Sequence, residues 1–320
     1  MNISIAICTY NGARFVEEQI LSILKQDLPV SEIVVCDDGS KDDTMTIVKN
    51  ISYQYPEIKW NIQQNSSNIG VVKNFEKAIR LCTGDIIFLS DQDDIWYHNK
   101  TKVMVDYFVS HDDTNILFTD ADLVNENGQP FCKYTLFDAI YLKPYMSLWD
   151  NGLIFEILNV WNVVTGATLA FRKCIVDEFL PFIDGDRKLL HDNQIALAGC
   201  KTNSIALIKD RLIGYRQHCN NVIGTRNQAW IYNGTKCPNL LAMIVEPFRI
   251  KECLKKRKSE RISFYEFRYH NYSSIIGKLK LTLSIFKYIK FYRDYWGIFY
   301  ASDILYGVSN KLRERLINKN

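Results

Sequence analysis

Short β-branched runs alternate with helical patterns along the first half of the chain. Ile3-Ser4-Ile5-Ala6-Ile7-Cys8 reads as a strand that runs out into the polar Thr9-Tyr10-Asn11-Gly12. A helix is expected from about Ala13 to Lys25, where Phe15, Ile20, Leu21 and Leu24 form an apolar stripe. Ile33-Val34-Val35-Cys36 repeats the strand pattern and runs into Asp37-Asp38-Gly39-Ser40. Ser40 followed by Asp43 has the spacing of a capped helix start, and that helix should reach about Tyr55. Residues 58–62 predict a third strand, 71–82 a helix, and 85–90 a fourth strand. Strands alternating with helices of this length predict an α/β fold on a mostly parallel sheet with right-handed crossovers.

Beyond Asp94 the alternation loosens. A helix is expected over about 99–110 and a strand over 116–119, closed by Asp120-Ala121-Asp122. Residues 125–160 are irregular and aromatic. Residues 166–171 read as a strand, 191–199 as a helix and 204–208 as a strand. From about Trp230 the pattern turns basic and aromatic without clear strands. The expected organisation is a domain over residues 1–230, in halves of about 1–98 and 99–230, and a helical C-terminal region over 231–320. No internal repeat interrupts this order.

Composition narrows the class. The 320 residues are 47% hydrophobic and 23% charged, an ordinary globular balance. No apolar run approaches about 18 residues, so no spanning helix is expected. Residues 1–7 lack the basic start and cleavage site of a signal peptide and read as a strand. The nine cysteines are scattered and form no C-x-x-C pair, so free thiols in a reducing cytoplasm are expected. The net charge of +3 conceals an asymmetry. Residues 249–320 carry 17 Lys and Arg against 6 Asp and Glu, or +11, which leaves −8 on the first 248. An acidic body and a basic tail imply surfaces with different partners.

The chemistry lies at the strand ends. In an open α/β sheet, ligands bind beyond the carboxyl ends of the strands. Those ends carry Thr9-Tyr10-Asn11, Asp37-Asp38-Gly39-Ser40 and Ser90-Asp91-Gln92-Asp93-Asp94. Helix capping would account for Asp38-Gly39-Ser40. After the fourth strand it would account for one acid, not three. Carboxylates held this close repel one another unless a cation or donor groups offset them. Hard divalent cations take oxygen ligands, commonly one or two carboxylates plus substrate phosphates.

Taken in order, these elements resemble the family 2 glycosyltransferases, which have the GT-A fold. The matching residues are Cys8-Thr9-Tyr10-Asn11-Gly12, Val35-Cys36-Asp37-Asp38-Gly39-Ser40, Asn68-Ile69-Gly70 with Asn74, Gly84-Asp85, and Ser90-Asp91-Gln92-Asp93-Asp94-Ile95-Trp96. The resemblance covers roughly the first 225 residues, and the Ser-Asp-Gln-Asp-Asp form is most similar to bacterial rhamnosyltransferase-like members that build surface polysaccharides. It implies a nucleotide-sugar donor, with Thr9, Tyr10 and Asn11 beside the base and Tyr10 stacking on it. Asp38 would bond the base or ribose, with Asp37 beside it. Asn68 and Gly70 would belong to the nucleotide-sugar site, and Lys73 could approach the diphosphate, although it also reads as a solvated helix lysine. Asp91 would contact the ribose side, and Gln92 would also bind the nucleotide-sugar. Asp93 would be the chief ligand of Mg²⁺ or Mn²⁺, and Asp94 either a second ligand or an acceptor contact. The metal would neutralise the leaving diphosphate.

The same resemblance implies a base. A sugar hydroxyl is a poor nucleophile, and a carboxylate must take its proton. The family places an acid at the start of a helix about a hundred residues beyond the metal motif, which here is Leu190-His191-Asp192. The commoner pair is Glu-Asp, so Asp192 carries the role and His191 departs from the pattern, on the acceptor side. One displacement opposite the diphosphate would invert the anomeric centre. His218 is a candidate metal ligand, with Arg216 near phosphate. Thr165-Gly166-Ala167 would border the acceptor, where glycine permits close backbone approach. Trp96 reads as core or as a neighbour of the sugar.

The implied reaction moves a sugar, from dTDP-rhamnose or a UDP-hexose, to a glycan acceptor, lipid-linked, in O-antigen, capsule or exopolysaccharide synthesis. The basic tail, with Lys255-Lys256-Arg257-Lys258 and the aromatic stretch 285–292, suits peripheral contact with the anionic inner face of the cell membrane. It also reads as a helical appendage packed on the body. No module for nucleic acid is recognised. Two alternatives remain open, a nucleotidyltransferase on a similar sheet and a catalytically idle nucleotide-sugar binding protein.

Overall fold

A computed structural model describes residues 1–140, 162–183 and 190–218, with Met146, Trp149 and Leu158. The chain divides into two units, residues 1–143 with 163–226 and residues 144–162 with 227–320. Every element below belongs to the first. The expected helical C-terminal region lies outside the described residues, as does most of the irregular stretch 141–161.

The elements run β1 (Ile3–Thr9), α1 (Val16–Leu24), β2 (Glu32–Asp37), α2 (Thr44–Gln54), β3 (Lys59–Gln64), α3 (Val71–Leu81), β4 (Ile86–Ser90), β5 (Ile95–Trp96), α4 (Lys100–Ser110), β6 (Ile116–Val124), β7 (Pro130–Thr135) and α5 (Leu136–Ala139), then β8 (Leu169–Arg172), α6 (His191–Thr202) and β9 (Ile205–Arg216). Nine strands form one sheet in the order β3-β2-β1-β4-β8-β6-β9-β5, with β7 paired to β6. The half β3-β2-β1-β4 is parallel, as the alternation predicts. Beyond it β8 runs antiparallel between β4 and β6, while β6 and β9 are parallel. The fold is the expected α/β sheet flanked by helices, with a mixed second half.

Every residue of β1 and β2 is buried, as central parallel strands covered on both faces must be. The helices complete this core through single faces. In α3 these are Asn74, Phe75, Ala78 and Ile79, and in α1 Val16, Gln19, Ile20 and Ile23. Asn74 is polar in the core because it is bonded there, its Nδ2 donating to the Cys36 carbonyl at 2.7 Å. Cys8, Cys36, Cys82, Cys174 and Cys200 are free thiols.

Three boundaries depart from the pattern. Ser40 does not cap α2: the N-cap is Asp43, without a side-chain cap bond, and the Ser40 hydroxyl bonds Asp37. Residues 166–168 form a single 3-10 turn ahead of β8 rather than strand, because Thr168 bonds back to Thr165 through backbone and hydroxyl. Strand β9 runs on to Arg216, well beyond 208, since it pairs with β6 as far as Val124 and with β5 at Ile95. The parallel register brings Thr9 beside Asp37, Asp37 beside Gln64, and Ile7 beside Ser90. The polar loops that follow these strands therefore open on one edge of the sheet.

Candidate active site

The loops after β1, β2 and β3 are knitted by two aspartates. The Thr9 hydroxyl donates to Asp37 Oδ1 at 2.8 Å. Asp37 also accepts from the N–H groups of Gly39 and Ser40, the Ser40 hydroxyl and Gln64 Nε2. Its carboxylate thus shapes its own turn. Asp38 folds the next loop inward. Its Oδ1 accepts from Asn65 Nδ2 at 2.9 Å and Ile69 N at 2.8 Å, and its Oδ2 from Gly70 N at 2.9 Å. Asn68 Oδ1 shares that Gly70 N–H. Asn11 stands in the left-handed region at φ +49° and bridges both loops, donating to Ser40 Oγ and accepting from Lys41 N.

Tyr10 is 46% exposed beside this shelf, so its ring is open to a stacking partner. Its backbone is held at both ends by Gln92, whose Oε1 accepts from Tyr10 N at 2.8 Å and whose Nε2 donates to Tyr10 O at 3.1 Å. Gly12 makes room for that amide, for a Cβ there would lie 2.1 Å from Gln92 Oε1. Lys73 is exposed in the first turn of α3.

The acidic run leaves β4 in three directions. Asp91 is pushed up to about 7, by burial first and then by the charges of Asp93 and Asp192, with Lys100 opposing. Asp93 receives His218 Nε2 at 2.8 Å on its Oδ2. Asp94 is 1% exposed. Its Oδ1 accepts from Arg216 N at 2.9 Å, while its buried Oδ2 has no hydrogen-bond partner among the described residues. Burial, with the charges of Asp93 and Asp91, holds Asp94 well above the usual carboxylate range. A negative cluster with one orphaned oxygen fits a cation. Among the described residues no three His, Cys, Asp or Glu side chains converge enough to cage a cation unaided. Of the expected ligands the fold brings Asp93 and His218 together, while Asp94 turns Oδ1 to the Arg216 N–H; an ion here would need phosphate and water oxygens as well.

Asp192 comes to this cluster from the first turn of α6. It does not cap the helix; Leu190 is the N-cap residue. Asp192 Oδ2 accepts from Gly166 N at 3.3 Å and Oδ1 from Asn193 N at 2.7 Å. His191 is buried and stacked on Phe75 with centroids 4.0 Å apart. Neither of its ring nitrogens has a hydrogen-bond partner among the described residues. Burial lowers its pKa to about 3, so the ring is neutral at physiological pH. The Ala167 carbonyl accepts from Lys100 Nζ at 2.7 Å.

Arg216 is not a phosphate contact. It is fully buried, and its Nε donates to the Asp93 carbonyl, Nη1 to the carbonyls of Glu126 and Asn125, and Nη2 to Glu18. The guanidinium also lies over the Phe15 ring. Its fork of donors is spent on clamping the acidic run and the 125–126 turn to α1. Trp96 is core, 3% exposed and tilted against Phe88. Two polar groups at the site carry no motif. Lys100 is fully buried, its ammonium 3.8 Å from the centroid of the Trp96 ring. Burial lowers Lys100 to about 7, against the charges of Asp94 and Asp91. Tyr215 stands among the carboxylates: burial, then Asp94, Asp91, Asp93 and Asp192, raise its phenol well above the usual range. Only the parity of β9, which alternates Tyr215 with the inward Arg216, hints at this in the sequence.

Known proteins share this arrangement of elements. The family model for Glycosyl transferase family 2 matches residues 4–150. A dTDP-rhamnosyl transferase, RfbG, of Shigella flexneri is 30% identical over 231 residues, covering 68% of this chain and 73% of that relative. An uncharacterized glycosyltransferase of Nostoc sp. is 27% identical over 222 residues, covering 69% of this chain; the match spans 66% of that relative's length. Among solved structures, residues 1–349 of Staphylococcus aureus TarS in complex with UDP-GlcNAc align with a TM-score of 0.52 at 16% identity, covering 91% of this chain and 81% of that one. At that identity the likeness speaks for the fold.

Proposed function

The chain belongs to family 2 of the glycosyltransferases, and on that premise we propose that it moves a sugar, with inversion, from a nucleoside-diphosphate sugar to a glycan hydroxyl. The observation that carries the reading is the meeting of four carboxylates from distant segments: Asp91, Asp93 and Asp94 after β4, and Asp192 at the start of α6. Such a cluster is costly in isolation, and a divalent cation shared with the donor diphosphate would relieve it.

Each residue then has a task. Tyr10 offers its exposed ring to the base, on the shelf that Thr9, Asn11, Asp37 and Asp38 build. Asn68, Gly70 and Lys73 border the phosphates, and Asp91 with Gln92 the ribose. Asp93, Asp94 and His218 would hold Mg²⁺ or Mn²⁺, which supplies neutralisation of charge on the departing diphosphate. Asp192, steadied by the Gly166 N–H, takes the proton from the acceptor hydroxyl as it attacks opposite the diphosphate. His191, neutral and buried, walls the acceptor side together with Gly166 and Ala167.

The relative named as a dTDP-rhamnosyl transferase favours dTDP-rhamnose as donor, with a UDP-hexose second. The setting proposed for this reaction is synthesis of a cell-surface polysaccharide on a lipid-linked acceptor, a reading supported by the Ser90–Asp94 motif. The +11 charge of residues 249–320 favours peripheral contact with the inner membrane face. Among the described residues no helix is long and apolar enough to cross a membrane. The nucleotidyltransferase alternative lacks support, since Arg14, the basic residue of the first loop, pairs with Glu126 at 2.6 Å.

The test is Asp192→Asn. It should bind nucleoside diphosphate as the wild type does and lose transfer by about 10³-fold, within the range for removal of a general base. Full transfer activity in this variant would remove Asp192 from the role.

A further inference from the structure

A buried lysine joins the two halves of the proposed site. Lys100 opens α4 and is fully buried. Its ammonium donates to the Ala167 carbonyl at 2.7 Å and rests 3.8 Å from the centroid of the Trp96 ring. Burial lowers its pKa to about 7, with the charges of Asp94 and Asp91 opposing. On the other side of Ala167 the peptide continues directly to Gly166, whose N–H holds Asp192 Oδ2 at 3.3 Å. The turn between them is stiff, because Thr168 bonds Thr165 through both its N–H and its hydroxyl at 2.9 and 2.8 Å. Strand β8 then fixes the turn to β4 and β6.

We propose that Lys100 is a positioning residue that locks the 166–168 turn, and through it the Asp192 carboxylate, to the helix that follows the acidic run. The inference rests on the reading of Asp192 as base. A methionine would fill the same space without the cost of burying an ammonium, so stability alone does not call for lysine here. What methionine lacks is the donor to Ala167 and the charge facing Asp91 and Asp94. A lysine in this place sets the distance between the donor-side acids and the base, which is the dimension that transfer geometry depends on. Small misplacements of a reacting group are costly in rate. The consequence is a split: the donor shelf, built by Asp37, Asp38 and Gln92, does not depend on Lys100, whereas the base does.

The experiment compares Lys100→Met, Lys100→Gln and Asp192→Asn with the wild type in the full-length chain. The probes are metal-free dTDP binding, by thermal shift, which reads the shelf of Asp37, Asp38 and Gln92, and release of dTDP from dTDP-rhamnose with water as acceptor. Lys100→Met should bind dTDP within about threefold of wild type, keep the KM for dTDP-rhamnose within about threefold, and lose kcat by tenfold or more. Lys100→Gln, which restores a donor toward Ala167, should recover part of that kcat. Should Lys100→Met not fold, Lys100→Gln decides on the same readouts. Wild-type kcat in the lysine variants beside an inactive Asp192→Asn overturns the positioning role alone. An active Asp192→Asn overturns the base assignment itself. Losses of dTDP binding and kcat in equal proportion would make Lys100 a structural residue and overturn the proposal.

Discussion

The imidazole Nε2 of His218 lies 2.8 Å from Asp93 Oδ2, so the residue just beyond β9 reaches back to the acidic run after β4. The ring is buried and tilted against Phe15, with centroids 4.9 Å apart. This contact holds the Asp93 carboxylate against the ring, and an ion binding there would take the place of the shared proton. His218→Ala removes the ring. It should weaken the metal-dependent part of dTDP binding by about tenfold, the scale of one hydrogen bond to a charged group. Titration of dTDP with and without Mn²⁺ measures this. An unchanged metal dependence would remove His218 from the ion's surroundings.

Gly166 serves His191 first. A Cβ at Gly166 would lie 2.8 Å from His191 Nε2, closer than real Cβ contacts come. The ring cannot retreat easily because it is stacked on Phe75. Gly166→Ala should therefore cost about 1–3 kcal/mol of stability. Asp192, next in sequence, should shift with the ring and cost transfer rate while dTDP binding holds. Urea denaturation and dTDP binding on the same sample check both halves.

His191 also sets a pH dependence. Its folded pKa of about 3 lies below the ordinary value of 6.5. Below pH 6.5 the unfolded chain takes a proton that the folded chain refuses, so stability falls as pH drops through 6.5 toward 3. Above pH 6.5 both states are neutral and the effect is absent. His191→Phe keeps a ring on Phe75 and cannot titrate. Between pH 7 and 5.5 the wild type should lose about 1 kcal/mol more than this variant. Parallel losses would contradict a buried neutral histidine.

The parallel half of the fold and most of the site were legible because their signals are local. Strand periodicity and the loops Thr9–Asn11, Asp37–Ser40 and Asp91–Asp94 each fit in a few residues, and the register of β1, β2 and β4 brings them to one edge. The misreadings involve long-range partners. Arg216 looked free for phosphate because Glu18 and Glu126 stand 198 and 90 residues away. Lys100 carries no motif, and the Ala167 carbonyl that takes its ammonium lies 67 residues away. Ser40 is a local exception: it matched a capping pattern, yet its hydroxyl donates to Asp37 three residues before it. Pattern fixes what a residue can do; which partner takes it is decided by the fold.

The central claim is that the acidic run binds a nucleoside diphosphate through a divalent cation, with Asp93 as its chief ligand. The most direct measurement is the thermal shift produced by dTDP and UDP, with and without Mn²⁺, in the wild type and in Asp93→Ala. A ligand that binds only the folded chain raises its stability by mass action, about 2.7 kcal/mol at a hundredfold excess over Kd. In the wild type, at least one nucleotide should give a shift that grows with Mn²⁺. In Asp93→Ala the added contribution of Mn²⁺ should vanish, leaving the smaller metal-free shift. A Mn²⁺-dependent shift of undiminished size in Asp93→Ala would contradict the assignment.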